Sequence, residues 1–487
     1  MALEKLDPLL NMLPSISKSN IPLSLKEKLK WTAILMAVYY VLFSVPAIGV
    51  NTSATSQGVE QLISIIFAAR IGTIITVGIS PIVVAGIIFS FLSGADIIKI
   101  DQNNPLDRSR MQGLQKLTAI VIAAAEAFIF TATGQITLLS NSFYGLVILQ
   151  LFIGAVIIIY MDEAMSKFGI TSGINLFICG NVAFSVVAGT VNILGAEALT
   201  YLAGRGATAL PNAILAFGPL FFAVAVLLVS IYAYETNLEI PLVFSQFRGV
   251  GGRLPIPLLY VSVLPVVLAT AMQLNLVILA GFLAGYHGPL MGLANFLASF
   301  SGVGGSTRPV LSGGLIYLIS PNFPLPYSGA YGGLGGYPEY FNYLLTNQDP
   351  IYSPFGGSIF YVPEWVHVIV YSLVLIILCV IFGKFWTGMA GQDAKSLAAQ
   401  LGDVGWQIPG FRRDPRTVEA MLNRYIPSII TLGSMFVGIL AAFATITAAI
   451  GSGVGILLSV GIIYMIYKQM DQERMFETYP QLNRLIS

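Results

Sequence analysis

Chemistry carried out inside an apolar chain shows itself as ionisable side chains held at depth, because such groups are costly there and persist for a purpose. This chain of 487 residues has few of them. Glu126 is the one clear acid within a long apolar run. Two readings are open for it: a neutral or hydrogen-bonded carboxyl that joins neighbouring helices, and a part in gating. His287 and His367 lie far apart in sequence, and neither falls in a metal or triad signature. Cys179 and Cys379 sit in apolar runs with no disulfide framework and no metal-ligand spacing, so they read as small buried hydrophobes. The stretch Ala390-Gly391-Gln392-Asp393-Ala394-Lys395-Ser396 lacks the first glycine of a phosphate-binding loop and its spacing. A nucleotide-driven step would need that machinery on a partner. The expectation is a protein that is not an enzyme and uses no cofactor or metal.

The elements that must position these residues follow from composition. Hydrophobic residues make up 56% of the chain and charged residues 10%, and the mean hydropathy is +0.81. A soluble domain carries about 25% charged residues, so a water-facing surface of ordinary size cannot be built. The net charge of +1 excludes a strongly basic nucleic-acid binder. About 20 apolar residues cross a bilayer as a helix. Stretches of that kind predict spans near 31–50, 77–97, 117–136, 143–161, 172–192, 213–234, 257–284, 365–383, 425–447 and 451–467.

Lys and Arg set the orientation. With ten spans, Lys18, Lys26, Lys28 and Lys30 fall on the same side as Lys99, Arg108, Arg110, Lys116, Lys167, Arg248 and Arg253. So do Lys384, Lys395, Arg412, Arg413, Arg416, Arg424, Lys468, Arg474 and Arg484, while Arg70, Arg205 and Arg308 lie on or toward the other side. Both termini are then cytosolic, and the plasma membrane is the expected location. Residues 1–30 form a cytosolic N-terminal segment without signal-peptide character; its leucines at helical spacing fit a surface helix or a frayed end. Residues 471–487 form a cytosolic tail.

Five spans per half force any internal repeat to be inverted. Pro81-Ile82-Val83-Val84-Ala85 in the second span matches Pro265-Val266-Val267-Leu268-Ala269 in the seventh. Ile170-Thr171-Ser172-Gly173-Ile174 at the fifth matches Ile450-Gly451-Ser452-Gly453-Val454 at the tenth. The expected fold class is therefore all-α: ten transmembrane helices in two inverted halves, residues 31–192 and 193–470. Two segments fit no simple span. Residues 58–69 are apolar but too short to cross, which suggests a half-inserted helix shielded by protein. Residues 285–364 form a long outer loop rich in Gly, Pro, Ser and Tyr, to which the sequence assigns no role; its stretch from Leu290 to Phe300 could be a short surface helix. Where the repeats match they carry Ile and Val, which either pack against neighbours or ring a constriction that excludes water.

Longer motifs carry a resemblance. The run Arg70-Ile71-Gly72-Thr73-Ile74-Ile75-Thr76-Val77-Gly78-Ile79-Ser80-Pro81-Ile82-Val83 resembles the plug-to-second-helix signature of the SecY family. In order follow Leu114-Gln115-Lys116-Leu117, Met161-Asp162-Glu163, Gly169-Ile170-Thr171-Ser172-Gly173-Ile174, Glu239-Ile240-Pro241, Pro409-Gly410-Phe411-Arg412 and Arg424-Tyr425-Ile426-Pro427. The match runs nearly end to end and is similar to the archaeal and eukaryotic branch. It implies a protein-conducting channel with an hourglass pore, a plug, and a lateral gate between the second and seventh helices. The implied pore ring is Ile79, Val83, Ile170, Ile174, Val267 and Ile450; the implied plug includes Leu62, Ile63, Ile65, Ile66 and Phe67. The implied gate cluster is Glu126 and Asn275, with Val84 where archaeal relatives often carry Thr. Implied partners are SecE-type and Sec-beta-type small membrane subunits, signal sequences and nascent polypeptides, the lipid bilayer, and a ribosome. Arg248, Arg253, Arg412 and Arg413 in the main cytosolic loops would meet ribosomal RNA phosphate, or else serve only topology or anionic-lipid contact. The alternative function is a secondary transporter of a small solute built on inverted repeats. That function needs polar ligands converging at the midplane, and beyond Glu126 and Asn275 the sequence offers little.

Overall fold

Long apolar runs become helices because a helix satisfies each backbone N–H and C=O within its own segment, which lipid cannot do. The computed structural model describes residues 14–17, 23–51, 64–94, 105–194, 213–244, 251–261, 264–283, 291–301, 310–324, 326, 336–353, 359–389, 392–404, 406–407 and 415–478. The first half contains α1 (Leu25–Ser44), α2 (Ser80–Gly94), α3 (Pro105–Ala132), α4 (Tyr144–Phe168) and α5 (Gly173–Asn192). Then come α6 (Gly218–Glu235), the hairpin β1 (Asn237–Phe244) and β2 (Gly251–Pro257), and α7 (Leu264–Ala280). The long loop holds α8 (Met291–Leu297), β3 (Ser299–Ser301), β4 (Val310–Gly313), α9 (Leu315–Ile319), α10 (Tyr337–Thr346), β5 (Gln348–Tyr352) and β6 (Ile359–Pro363). The chain continues with α11 (Glu364–Met389), α12 (Ala394–Val404), β7 (Trp406–Gln407), α13 (Pro415–Ile446) and α14 (Gly453–Thr478).

Among the described residues, 8 helices are long and apolar enough to cross a membrane: those built on α3 to α7, α11, α13 and α14. The apolar stretch of α2, Ser80–Phe89, is shorter. α1 starts earlier than its apolar run, because Ser24 and Glu27 close a capping box around its first turn (Glu27 N–H to Ser24 Oγ 3.4 Å, Ser24 N–H to Glu27 Oε2 3.1 Å). α3 also starts well before its apolar run, at Pro105, because a helix once nucleated extends through polar residues that water can solvate.

The helices with matching sequences meet: α2 packs on α7, and α5 packs on α14. Small residues allow the closest approaches. A Cβ at Gly383 of α11 would collide with Ser434 of α13, and one at Gly438 of α13 would press on Ile376 and Cys379. On the opposite face of α11, Trp365, Ile369, Leu373, Ile377 and Ile381 recur every fourth residue and are exposed, as a lipid-facing stripe requires.

The all-α expectation holds for the apolar runs only. β1 and β2 pair antiparallel from Asn237↔Pro257 to Val243↔Gly251, and β7 adds to β1 at Val243↔Gln407. The loops after α6 and after α11 thus share one sheet. At the other ends of α7 and α11, the long loop is a folded cap with two further hairpins, β3–β4 and β5–β6. The short helix expected between Leu290 and Phe300 is α8.

The cap is fastened to the first turn of α11 by a buried polar cluster. Glu364 and His367 are fully buried, and Asp349 and Tyr317 nearly so. His367 Nδ1 faces Glu364 Oε1 at 2.9 Å, and its Nε2 faces the Ser320 carbonyl at 2.9 Å. Tyr317 donates to Glu364 Oε2 at 3.2 Å, and Asn347 Nδ2 donates to Asp349 Oδ1 at 3.2 Å. Burial, with Glu364 beside it, pushes the Asp349 carboxyl up to about 8. Tyr317 and Tyr343 lie near both carboxylates and Tyr340 near Glu364, and their hydroxyls are raised well above the ordinary phenol value, chiefly by burial.

An Asp exposed to water titrates near 4. The folded cap therefore retains a proton that the opened cap loses. Its contribution is complete below about pH 4 and is lost as pH rises through about 8, at up to about 1.4 kcal/mol per pH unit. Burial keeps His367 neutral in the folded cap and favours opening below about pH 6.5, so the Asp349 slope stands alone above that: cap opening, measured by amide exchange corrected for intrinsic base catalysis between pH 7 and 9, is expected to increase with pH. Asp349→Asn is expected to flatten that slope, and an unchanged slope in the variant would remove Asp349 as its source.

Candidate functional site

The segment from Ser64 to Ile79 is where the chain departs from helix inside the bundle. Its described part begins with one helical turn over residues 64–66. Ile65, Ile66 and Phe67 are buried to 1% exposure or less. Leu62 and Ile63 lie outside the described residues. Non-helical backbone surrounded by apolar side chains must find its partners in protein. The Ala69 N–H donates to the Ser64 carbonyl at 3.1 Å, and the Ile79 N–H donates to the Phe67 carbonyl at 2.8 Å. From α1, the Tyr39 hydroxyl donates to the Ala68 carbonyl at 2.9 Å. From α5, Asn181 Nδ2 donates to the Ser64 carbonyl.

Sterics fix the same segment. Gly78 has φ +60°, and a Cβ there would collide with the Phe67 carbonyl, so glycine is what lets the chain entering α2 lie against the turn. Ala68 takes a positive φ of 47°, a strained value for alanine that its neighbours must enforce. On α14, a Cβ at Gly455 would come within 2.7 Å of Ile65 Cγ2. The segment ends at exposed Arg70, whose guanidinium lies 5.7 Å from the Phe43 ring centroid. Sequence reasoning missed Tyr39 and Asn181. An amide in the middle of an apolar run, as at Asn181, was the available signal.

Four of the six implied ring residues, Ile79, Val83, Val267 and Ile450, belong to the main buried apolar core. Ile174 packs against that core, and its N–H is capped by Asp162 Oδ1 at 2.9 Å. Ile170 is half-buried, with its N–H on Thr32 Oγ1 at 3.2 Å.

At the seam, α2 touches both α7 and α11. Glu126 of α3 is buried and accepts from the Ser80 hydroxyl of α2 at 2.8 Å. Its Oε2 has no hydrogen-bond partner. Val84 is half-buried one turn beyond Ser80. Asn275 of α7 is half-buried and donates to the Ala271 carbonyl of its own helix at 2.9 Å. Gln273 on the same helix is buried with neither amide atom partnered. The polar link seen here therefore joins α2 to α3, and Ser80 and Gln273 join the polar residues that sequence reasoning named.

The Met161-Asp162-Glu163 motif has a structural use. Glu163 accepts from Lys116 and Lys167, each at 2.6 Å, and from the Ile16 N–H at 3.1 Å. Lys116 also reaches the Pro14 carbonyl at 2.6 Å. Residues 14–17 are thus tied by their backbone to Lys116 within α3 and to the last turns of α4. Of the four loop arginines, Arg253 lies in β2 opposite Pro241, and Arg248, Arg412 and Arg413 lie outside the described residues.

Comparison with known proteins meets this geometry from a second direction. A family model described as SecY matches residues 73–467. A protein translocase subunit SecY of Methanocaldococcus jannaschii is 34% identical over 486 residues, covering 100% of both chains. That of Methanococcus vannielii is 33% identical over 486 residues, covering 99% of each chain. Among solved structures, one described as the structure of a protein conducting channel superposes with a TM-score of 0.76 at 34% identity over 98% of each chain. Sec61 in a canine ribosome-channel complex from the endoplasmic reticulum gives 0.73 at 34% identity, again over 98% of each. A third, which concerns the plug domain of SecY, the closed state of the translocation channel and its membrane seal, gives 0.75 at 33% identity and 98% coverage of each. Matched along nearly its whole length in both sequence and fold, this chain belongs to the SecY family.

Proposed function

We infer that this chain is the pore-forming subunit of a protein translocase. It conducts unfolded polypeptides across the membrane and releases apolar segments sideways into the bilayer. The observation that carries this reading is the segment 64–70, buried at residues 65–69 and wedged among α1, α5 and α14 by hydrogen bonds and apolar contacts. An element held by hydrogen bonds and apolar contacts, with no ion pair among the described residues, is suited to leaving a bundle, and a channel that is closed at rest needs a removable stopper. The greasy surroundings suit a task in which the wall must not bind side chains specifically.

Ten spans complete the architecture, with α1 and α2 joining the 8 apolar helices, in two inverted halves with both termini cytosolic. The cell membrane is the setting. Ile79, Val83, Ile170, Ile174, Val267 and Ile450 are assigned to a water-excluding ring, and Leu62, Ile63, Ile65, Ile66 and Phe67 to the plug. SecE-type and Sec-beta-type subunits are the expected small partners. A translating ribosome supplies the drive, docking on the loops that share the β1–β2–β7 sheet. Membership in the SecY family supports polypeptide transport as the task of this chain.

Three experiments test this. Reconstituted with its small subunits and driven by a ribosome, the chain is expected to carry a secretory precursor into protease-protected lumen. Ser replacements at Ile79, Val83, Val267 and Ile450 together, or Tyr39→Phe with Asn181→Leu, are expected to raise ion leak. Failure of the precursor to cross, with the complex intact, would overturn the reading.

The gate is read through the Ser80–Glu126 pair. A hydrogen bond in this setting is worth about 0.6–2 kcal/mol, so Ser80→Ala is expected to shift the closed-to-open ratio by about threefold to thirtyfold. The readout is a lowered hydrophobicity threshold in a leucine/alanine insertion series. Asn275→Leu is expected to act less, because its amide is satisfied within α7. Thresholds that move with Asn275 and not with Ser80 would reverse the assignment.

Charge reversal at Arg412 and Arg413 is expected to weaken ribosome binding, and wild-type binding is expected to fall with salt. Unaltered affinity would leave those arginines a topological role only.

A further inference from the structure

The turn between α13 and α14 carries Ile450 and is conformationally expensive. Three of its residues have positive φ: Ala448 at 50°, Gly451 at 83° and Ser452 at 53°. Glycine adopts that region freely; alanine and serine hold it only when surrounding contacts leave no alternative. Local bonds supply part of the restraint. The Ala448 N–H donates to the Thr445 carbonyl at 3.1 Å, and the Ala449 N–H donates to the Ala444 carbonyl at 3.0 Å. They leave the last carbonyls of α13 without helical partners, as every helix end does.

Those carbonyls are taken by the cap. The Tyr340 hydroxyl donates to the Ile446 carbonyl at 2.6 Å, and the Tyr337 hydroxyl donates to the Thr447 carbonyl at 2.7 Å. Both tyrosines stand on α10, one turn apart, and are buried to 0% and 4% exposure. The Tyr337 ring lies directly on Gly218, where a Cβ would collide with it. The residue after Gly218 is Pro219, whose carbonyl accepts the Ile450 N–H at 3.2 Å. α10 therefore reaches Ile450 by two routes: through the end of α13, and through the first turn of α6. At the far side, a Cβ on Gly189 of α5 would come within 2.7 Å of Ile450 Cγ2, so a small displacement of the turn changes that packing directly. α10 itself is held at both ends. The Gly336 N–H donates to the Pro326 carbonyl at 3.0 Å, and the Asn347 carbonyl accepts the Glu364 N–H at 2.9 Å beside the buried carboxylate cluster.

We propose that α10 is a strut that sets the position of Ile450, with Tyr337 and Tyr340 as positioning residues for the pore seal. This gives the long loop after α7 a role in the channel itself. The proposal rests on the reading of Ile450 as a member of the water-excluding ring, and it goes beyond that reading by naming what holds the residue in place. The rings of the two tyrosines pack in an aromatic group with Phe222 and Phe341, so the helix keeps its seat when only the hydroxyls are removed.

The test is ion flux through proteoliposomes containing the full complex at rest. Tyr337→Phe, Tyr340→Phe and their double variant are compared with wild type, with Ile450→Ser, and with Tyr317→Phe. The last removes a buried hydroxyl at the base of the cap without touching the turn. The expected result is a several-fold rise in leak for the double variant, smaller rises for the singles, a rise for Ile450→Ser and none for Tyr317→Phe. Tight Ile450→Ser channels would overturn the ring reading, and the strut with it. Leaky Ile450→Ser channels beside a tight double variant would overturn the strut alone. Equal leak from Tyr317→Phe would also overturn it, because general loosening of the cap would then account for the effect.

Discussion

Backbone polar groups at depth must be satisfied by protein, because the hydrocarbon around this chain offers no substitute. That constraint shapes the molecule more than any side-chain interaction. It makes the long apolar runs helical. It also dictates what happens where the chain is not helical. Between Ser64 and Ile79 the backbone leaves the helix, and protein groups meet it there: Tyr39 on the Ala68 carbonyl, Asn181 on the Ser64 carbonyl, the Ile79 amide on the Phe67 carbonyl. The turn after α13 repeats the pattern with Tyr337 and Tyr340. Polar side chains in the bundle are there largely to serve backbone.

This economy has consequences for motion. A segment fixed by many ion pairs or by a continuous ladder would be too stable to move. Among the described residues, the 64–70 segment is fixed by hydrogen bonds, each worth about 0.5–1.5 kcal/mol net, and by apolar contacts. The seam of α2 with α7 and α11 is similarly spare. Among the described residues, the polar groups beside it include the Ser80–Glu126 bond, which ties α2 to α3, and the unpartnered atoms of Glu126 and Gln273. Buried polar atoms without partners raise the energy of the packed state. Stronger fastening is found away from the seam, where Glu163 holds Lys116, Lys167 and the backbone of residues 14–17.

The membrane class and the positions of the long helices were legible in the sequence, because span length and charge placement are local properties that one bilayer thickness enforces on every segment alike. The matching motifs were legible for the same reason, since Pro81 and Pro265 open corresponding helices wherever those helices end up. Helix starts were less legible. α1 and α3 run past their apolar stretches into polar residues, where hydrophobicity carries no signal and capping decides. The Glu364–His367 pair, three residues apart at the start of α11, was visible as a spacing. It gained meaning only when Ser320, Tyr317 and Asp349 from distant parts of the cap closed around it.

What the sequence by itself determined is therefore one-dimensional: a chain that must live in a bilayer, with apolar helices of set length, an uncharged interior, and a short apolar segment that cannot span. What only the tertiary structure decided is which side chain answers which backbone group. Glu126 meets Ser80 rather than Asn275, the loops after α6 and α11 merge into one sheet, and a Gly-, Pro- and Tyr-rich loop folds into a cap that reaches the turn at Ile450. The physical reason is that hydrophobicity is a property of each residue, readable in place, whereas a hydrogen bond is a property of a pair. Its partner, often more than a hundred residues away, is chosen by packing.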